Sequence, residues 1–252
     1  MKKIIIVIYL VFMFSAFHVC AQEDNVHNNK YDEEHWLDYW ENLDSECSVC
    51  ENGGTQSPIN ISGCRKGDLD YLEFSYMETS LKVINNGYTI KVEYERGSAV
   101  TIDKKEFTLL EFHFHHPSEH KIRGSSYDME VHFVHQNESK WFAVVSVFIK
   151  EGKHNDTIET IWNNIFEGID EKNELALIPI TLNPEDLLPD ERAYYHYYGS
   201  LTTPPCSEGV NWYIFKSPIE MSKAQINKFE SVIGFNARPI QPLNHRLVLE
   251  SQ

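Results

Sequence analysis

The sequence reads Glu111-Phe-His-Phe-His-His-Pro-Ser-Glu-His120 near its centre, followed closely by Met129-Glu-Val-His-Phe-Val-His135. In an extended strand, residues two apart project from the same face. His113 and His115 therefore lie side by side, while the intervening phenylalanines face the other way. If the strand around His132 is a neighbour of the first one, three imidazoles converge on one point of a β-sheet.

Three neutral imidazoles with a fourth position left for water form the catalytic type of zinc site, whereas structural zinc sites fill all four positions with protein ligands. Glu111 and Glu130 each precede a histidine by two residues and so share its face. Such carboxylates can hold the imidazole N–H that is turned away from the metal. A lone His-x-His pair usually belongs to an ordinary half-exposed strand. The third histidine and the two carboxylates favour a water-activating zinc site instead.

The N terminus has the pattern of a cleaved secretory signal. Lys2 and Lys3 precede an almost entirely apolar run over residues 4–17, and small residues lead up to Gln22. The apolar run is shorter than the roughly 20 residues of a membrane-spanning helix, so we expect no membrane anchor there. A lipoprotein cysteine at Cys20 is the alternative. We predict a signal peptide over 1–21, a flexible acidic arm over 22–34 and one domain over 35–252.

Such a protein is expected to be secreted, or periplasmic if the source is bacterial. The whole chain has 38 acidic and 22 basic residues and a formal net charge of −16, which argues against nucleic acid and anionic membranes as partners.

Three Asn-x-Ser/Thr patterns make candidate glycosylation sites if the host glycosylates secreted proteins. These patterns begin at Asn60, Asn137 and Asn155.

Removal of the signal leaves four cysteines, Cys47, Cys50, Cys64 and Cys206. In an oxidising compartment disulfides are their expected fate, and four cysteines allow three pairings. Cys47-Ser-Val-Cys50 could instead begin a zinc site, but no second closely spaced pair follows it.

Strand-like runs dominate the chain. They occupy residues 89–94, 107–115, 129–135 and 141–149. Two runs have helical spacing. The first follows a cap formed by Asp156 with Glu159 and carries Ile158, Ile161, Trp162, Ile165 and Phe166; the second opens with Ser222 and Gln225 and carries Ile226, Phe229 and Ile233. The pattern predicts an α+β, predominantly β, domain without the strand–helix alternation of a parallel sheet.

Further motifs follow one another from about Trp36 to the C terminus. They are Gln56-Ser-Pro-Ile-Asn-Ile61, Asn85-Asn-Gly87, Phe112-His-Phe-His115 with Ser118-Glu-His120, Glu130-Val-His132, Gly199-Ser-Leu-Thr-Thr-Pro-Pro205 with Val210-Asn-Trp212, and Asn236-Ala-Arg-Pro239 with Gln241-Pro-Leu243. In this order they resemble the motifs of the secreted α-class carbonic anhydrases. The resemblance implies a large twisted, mainly antiparallel β-sheet with peripheral helices and a zinc ion in a conical cleft.

The resemblance also implies an activity, that of a carbonate dehydratase. Zinc held by His113, His115 and His132 would supply hydroxide that attacks carbon dioxide, reversibly giving bicarbonate and a proton. Weak hydrolysis of activated esters and inhibition by sulfonamides or anions are expected as well. A catalytically silent binding, storage or mineral-matrix protein is the main alternative, but silent relatives usually lose a zinc histidine. No His-Glu-x-x-His segment supports another zinc hydrolase.

By the same resemblance, Thr202 would accept a hydrogen bond from the zinc hydroxide and pass its own proton to Glu119. Glu111 would orient His113, Glu130 would orient His132, and the backbone carbonyl of Asn236 would orient His115. The substrate would contact Thr202, Thr203 and an apolar wall made of Val134, Val144, Leu201, Val210 and Trp212. His120 and Tyr197 match a buried structural pair. The resemblance pairs Cys50 with Cys206, which leaves Cys47 and Cys64 for a second disulfide.

One residue departs from the pattern of the fast family members, which place a histidine after Asn-Asn-Gly to carry protons to solvent. This chain has Tyr88 at that position. A phenol with a pKa of about 10 cannot relay protons near neutrality as an imidazole with a pKa of about 6.5 does. We therefore predict that proton transfer limits turnover. His116 points away from the metal by strand alternation, and His35 is a further candidate for the relay.

Overall fold

The computed structural model describes residues 48–85, 89–94, 97–168 and 176–252. The predicted signal peptide and acidic arm lie outside these ranges, as do His35, Cys47 and Tyr88. Predictions that concern them remain predictions.

The chain folds into many strands and few helices. The described strands are β1 (Asn60–Ile61), β2 (Arg65–Lys66), β3 (Glu73–Ser75), β4 (Thr79–Asn85), β5 (Ile90–Glu93), β6 (Ala99–Ile102), β7 (Lys105–His115), β8 (Lys121–Ile122), β9 (Met129–Gln136), β10 (Phe142–Glu151), β11 (Ala176–Leu182), β12 (Tyr194–Ser200), β13 (Glu208–Phe215), β14 (Ile219–Met221) and β15 (Leu249–Glu250). The described helices are α1 (Ser48–Asn52), α2 (Asp156–Gly168) and α3 (Lys223–Val232), with a 3₁₀ turn at Pro184–Leu187. All four predicted strands are present, with ends that differ by a few residues.

One large mixed sheet organises the fold, with the strand order β11-β4-β5-β7-β9-β10-β13-β12-β15-β2. Its central pairs, β5 with β7, β7 with β9 and β9 with β10, are antiparallel. β10 and β13 are parallel neighbours. The predicted α+β fold, predominantly β with a mainly antiparallel sheet, is thus confirmed.

The register of β7 against β9 decides which side chains meet. His113 lies directly opposite His132, and Phe112 lies opposite Phe133. Opposed residues of antiparallel strands share a face, so the histidines project from one side of the sheet and the phenylalanines from the other.

Helices cover the phenylalanine face. The Phe114 ring lies 4.9 Å from the Trp162 ring of α2 and 6.4 Å from the Phe229 ring of α3, measured between centroids. All three rings are inaccessible to solvent. This packing leaves the opposite face of the central strands free to form a cleft.

The helix ends differ in how well the sequence predicts them. The Ser222–Gln225 capping box at the start of α3 is confirmed. The predicted cap at Asp156 is wrong by one residue, because the side-chain oxygen of Asn155 accepts the Ile158 backbone N–H at 3.0 Å. Asp156 is instead the first residue of α2. Both residue types are good caps, so the tertiary position decides between them.

The disulfide between Cys50 and Cys206 is confirmed and joins residues 156 positions apart in the sequence. It ties α1 to the turn before β13. Cys64 is half-buried and has no disulfide partner within the described ranges, while Cys47 lies outside them. None of the helices described is both long enough and apolar enough to cross a membrane.

Candidate metal centre

Three histidines meet on the open face of β7 and β9. One ring nitrogen from each of His113, His115 and His132 lies within 4.8 Å of the others. The ring centroids are 4.6 to 5.3 Å apart. His115 and His132 are buried, and His113 is half-buried at the edge of the cleft. The structure therefore brings together the three residues that the sequence singled out.

The second nitrogen of each ring is held by an oxygen that can only accept a hydrogen bond. The acceptors are the Glu111 carboxylate for His113 Nδ1 (3.0 Å), the Asn236 carbonyl for His115 Nδ1 (3.1 Å) and the Glu130 carboxylate for His132 Nε2 (2.8 Å). Those nitrogens must carry the protons, because a carboxylate or carbonyl oxygen has none to give. Each ring consequently keeps one lone pair free to bind a metal. These lone pairs are on His113 Nε2, His115 Nε2 and His132 Nδ1.

Unsatisfied polar atoms mark the same point. His115 Nε2 and Glu119 Oε2 are buried and have no hydrogen-bond partner among the described residues. They lie 3.5 Å from each other. Since buried polar atoms in proteins are almost always satisfied, two such atoms side by side indicate a place for a ligand.

A second group of possible metal-binding atoms, in His120, Glu130 and His132, needs no ion to explain it. His120 Nδ1 and His132 Nε2 both donate to Glu130 Oε1, at 2.7 and 2.8 Å. Hydrogen bonds account for the closeness of these atoms.

The buried imidazoles are held neutral. Burial lowers the pKa of His115 to about 3 and that of His132 to about 4. Burial also lowers the pKa of His113, but the charge and the hydrogen bond of Glu111 outweigh it and raise this pKa above its ordinary value. At neutral pH two of the three rings therefore offer lone pairs without first losing a proton.

These residues fit a zinc ion. Three imidazole nitrogens with hydrogen-bonded outer partners are the donor set of a catalytic zinc site, which keeps one position for water or substrate.

Glu130 ends a chain of buried hydrogen bonds. Ser57 Oγ, which accepts the Ser200 backbone N–H, is 2.7 Å from the Tyr197 hydroxyl, and that hydroxyl is 2.7 Å from His120 Nε2. His120 Nδ1 must donate to the Glu130 carboxylate, so its Nε2 accepts from Tyr197. The predicted His120–Tyr197 pair is present. It links a metal-facing histidine to the Gln56-Ser-Pro segment.

Glu119 is held by backbone rather than by a charged partner. Its Oε1 accepts the Arg238 backbone N–H at 2.8 Å. Burial raises the pKa of Glu119, while His132, this N–H and the Thr202 hydroxyl act in the opposite direction. Thr202 is itself buried, so the predicted pair occupies one protected region beside the metal-facing ring nitrogens of His115 and His132.

A cavity of about 370 Å³ opens above the histidines. Of the predicted substrate-contacting residues, those on its wall are Val134, Val144, Leu201, Thr202, Thr203 and Trp212. Val210 is not on the wall. It shares the Trp212 face of β13 but packs into a hydrophobic cluster with Val144 and Trp212.

Other wall residues were not anticipated. They include Lys91, Glu93, Tyr94, Leu110 and Phe142. Lys91 lies opposite His113 in the register of β5 and β7, so the two side chains share a face. Only the register brings this cation to the cleft.

His116 is turned out of the cleft, as strand alternation predicted. Its Nδ1 lies 2.9 Å from the Asp128 carbonyl, and its Nε2 faces Glu230 at 4.0 Å.

Comparison with known proteins gives consistent matches. Residues 32–252 match the family model described as eukaryotic-type carbonic anhydrase. The carbonic anhydrase of a Nostoc species is 41% identical over 221 residues, which cover 85% of this chain and 82% of that protein.

Solved structures agree. A hyperthermostable carbonic anhydrase from a hydrothermal vent chimney superposes with a TM-score of 0.82 at 43% identity, covering 88% of this chain and 99% of that one. The α-carbonic anhydrase of Thermovibrio ammonificans, solved with the inhibitor sulfanilamide, gives a TM-score of 0.80 at 42% identity, covering 87% of this chain and 97% of that one.

Proposed function

The chain belongs to the eukaryotic-type, or α-class, carbonic anhydrase family, whose fold supports hydration of carbon dioxide, and we propose that it performs this reaction with zinc held by His113, His115 and His132. One observation carries the proposal. One nitrogen from each of the three rings lies within 4.8 Å of the others, and in every ring one nitrogen is fixed by an acceptor while the other is left free.

Zinc held by these three histidines would act as a Lewis acid and lower the pKa of a water molecule to about 7, which would make hydroxide available at neutral pH. The protein orients the reactants around it. Thr202 has a hydroxyl that can accept one hydrogen bond from the nucleophile and donate its own proton to Glu119. Glu119 is suited to accept that hydrogen bond, because the Arg238 backbone N–H occupies its Oε1 and leaves the buried Oε2 for the hydroxyl. Because Thr202 is then fixed as a hydrogen-bond acceptor, the nucleophile must turn its own proton toward Thr202, which sets its orientation.

The apolar part of the cavity suits a small nonpolar electrophile. Val134, Val144 and Leu201 offer carbon dioxide no hydrogen bonds, and Trp212 packs edge-on against His132 at 4.9 Å between ring centroids. An apolar wall beside the nucleophile holds the substrate near the reacting oxygen and excludes competing water.

Proton removal is the step we expect to limit turnover. Tyr88 replaces the histidine relay, and within the described part of the cavity wall the only imidazoles are those of His113 and His132. Both are proposed zinc ligands and cannot carry protons to solvent. The rate should therefore rise with the concentration of a small imidazole buffer. A fast rate without buffer dependence would show that another relay exists.

The decisive experiment is stopped-flow hydration of carbon dioxide by the zinc-loaded protein, together with metal analysis. We expect about one zinc per chain and hydration that a sulfonamide abolishes. His132→Ala should lose both zinc and activity. His116→Ala is the matched control, because this neighbouring histidine faces Asp128 rather than the cluster, and it should keep both. Full hydration by metal-free protein would refute the proposal.

The same nucleophile should hydrolyse activated esters weakly. Hydrolysis of 4-nitrophenyl acetate should be sensitive to the same sulfonamide and absent from His132→Ala. Ester hydrolysis that survives either treatment would come from a different site.

We further propose that the protein is secreted after removal of residues 1–21. The disulfide fits an oxidising compartment. Among the glycosylation candidates, Asn137 is the best placed, because it lies in the turn between β9 and β10 next to exposed Glu138 and Ser139. A glycan on Asn155 would be attached to its Nδ2, which donates to the Glu220 carbonyl at 3.4 Å, and would disturb that contact. Mass spectrometry of protein secreted from a glycosylating host tests both points. It should identify the new N terminus and measure the glycan occupancy at Asn60, Asn137 and Asn155.

A further inference from the structure

Ser146 is a polar residue inside a run of buried apolar residues. β10 is fully buried from Ala143 to Ile149, and Ser146 has no solvent exposure. A hydroxyl in such a place must find an acceptor or cost stability. It finds one, because Ser146 Oγ donates to Glu130 Oε1 at 2.5 Å.

The register explains this contact. Ser146 lies directly opposite His132 in the antiparallel pair of β9 and β10. Glu130 precedes His132 by two residues and shares its face. The serine thus stands beside both the metal-facing histidine and the carboxylate that orients it.

Glu130 is surrounded by donors. Its Oε1 accepts from His120 Nδ1, His132 Nε2 and Ser146 Oγ, at 2.7, 2.8 and 2.5 Å. Its Oε2 accepts the His120 backbone N–H at 2.9 Å. Apart from His132, every donor found in the described part of the chain comes from His120 or Ser146, so these two residues set the position of the carboxylate. Of these four hydrogen bonds, the one from the serine hydroxyl is the shortest.

We propose that Ser146 is a positioning residue for the metal centre: acting through Glu130, it fixes the ring of His132 with Nδ1 aimed at the metal. This inference rests on the proposed function, in which the three histidines bind zinc. The His132 ring is oriented by its hydrogen bond to Glu130, so the position of the carboxylate sets the direction of Nδ1. The carboxylate is held from one side by His120 and from the opposite strand by Ser146.

The test compares zinc affinity in three variants by competition with a chelator. Ser146→Ala removes the donor, and loss of an outer partner of this kind should weaken zinc binding about tenfold. Ser146→Cys keeps a weak donor of similar shape, so its affinity should fall between those of the wild type and the alanine variant. Val147→Ala is the matched control, because it removes buried volume from the next residue, on the opposite face of β10, without touching Glu130.

A spectroscopic measurement separates positioning from general destabilisation. The visible absorption of the Co²⁺-substituted protein reports the geometry around the metal, and it should change in Ser146→Ala and Ser146→Cys but not in Val147→Ala. If Ser146→Ala does not fold, the cysteine variant carries the test alone. Wild-type zinc affinity and an unchanged cobalt spectrum in the serine variants would overturn the proposal, as would equal losses in Val147→Ala. Failure of the wild-type protein to bind zinc would instead refute the proposed function.

Discussion

The buried imidazole of His135 should make the stability of the protein sensitive to acid. It lies in β9 with no solvent exposure and stacks on Tyr76, 5.9 Å between ring centroids. His135 Nδ1 lies 3.3 Å from the Ala143 carbonyl, so this nitrogen carries the proton. Nε2 then accepts from the Tyr76 hydroxyl at 2.8 Å. Burial lowers the pKa of His135 to about 4.

The sign and size of the effect follow from these values. In the unfolded chain the pKa returns to about 6.5, so between about pH 6.5 and pH 4 the unfolded state binds more protons than the folded state. The free energy of unfolding therefore falls as the pH falls through this window. At pH 5, about 1.5 units below the unfolded pKa, the loss due to His135 is about 2 kcal/mol.

The perturbation is His135→Gln, which keeps one donor and one acceptor near Ala143 and Tyr76 but does not titrate. We would measure urea unfolding of metal-free protein at pH 7.5 and pH 5.0, so that the other histidines contribute equally to both proteins. The wild type should lose about 2 kcal/mol more than the variant on acidification. His154→Gln, at a histidine with half of its side chain exposed, should behave as the wild type does. Equal acid sensitivity of wild type and His135→Gln would refute the reasoning.

Three further perturbations test the metal centre and its surroundings. Glu111→Gln removes the charge beside His113, so the midpoint of the pH–rate profile for carbon dioxide hydration should move to lower pH by less than about one unit. Replacing Cys50 and Cys206 together by serine opens a disulfide-closed loop with a sequence separation of 156, and urea unfolding should show a loss of up to about 5 kcal/mol. Lys91→Gln removes a cation from the cavity wall, so inhibition of hydration by azide should weaken about threefold, whereas Lys150→Gln outside the cavity should change nothing.

Much of the fold could be predicted because its determinants are local. The strands around His113 and His132 alternate with period two, and buried phenylalanines alternate with the histidines. Each carboxylate two residues before its histidine is placed by the same geometry. Local periodicity therefore predicted which residues share a face, whereas bringing His132 beside His113 required the pairing of β7 with β9.

The remainder depended on register and tertiary packing, which no local pattern specifies. Lys91 reaches the cavity only because β5 pairs with β7 so that Lys91 lies opposite His113. Asn155 rather than Asp156 caps α2, since its backbone N–H also donates to Gln225 of α3 and fixes it in place. Ser146 did carry a local signal, a lone hydroxyl in a buried apolar run, but its acceptor required the neighbouring strand.

Several of the motifs that carry the family resemblance meet at Arg238. The Arg238 guanidinium donates to the backbone carbonyls of Cys50 and Ser57, each at 2.7 Å, and its own backbone N–H donates to Glu119. The Gln56 side chain in turn donates to the Cys206 carbonyl at 3.2 Å. Segments that are distant in sequence, together with the disulfide, thus surround the Glu119 carboxylate beside the histidines. Arg238 contacts Glu119 directly through its backbone N–H, and the other contacts fix Arg238 and its neighbours, so these segments form one structural unit around the carboxylate.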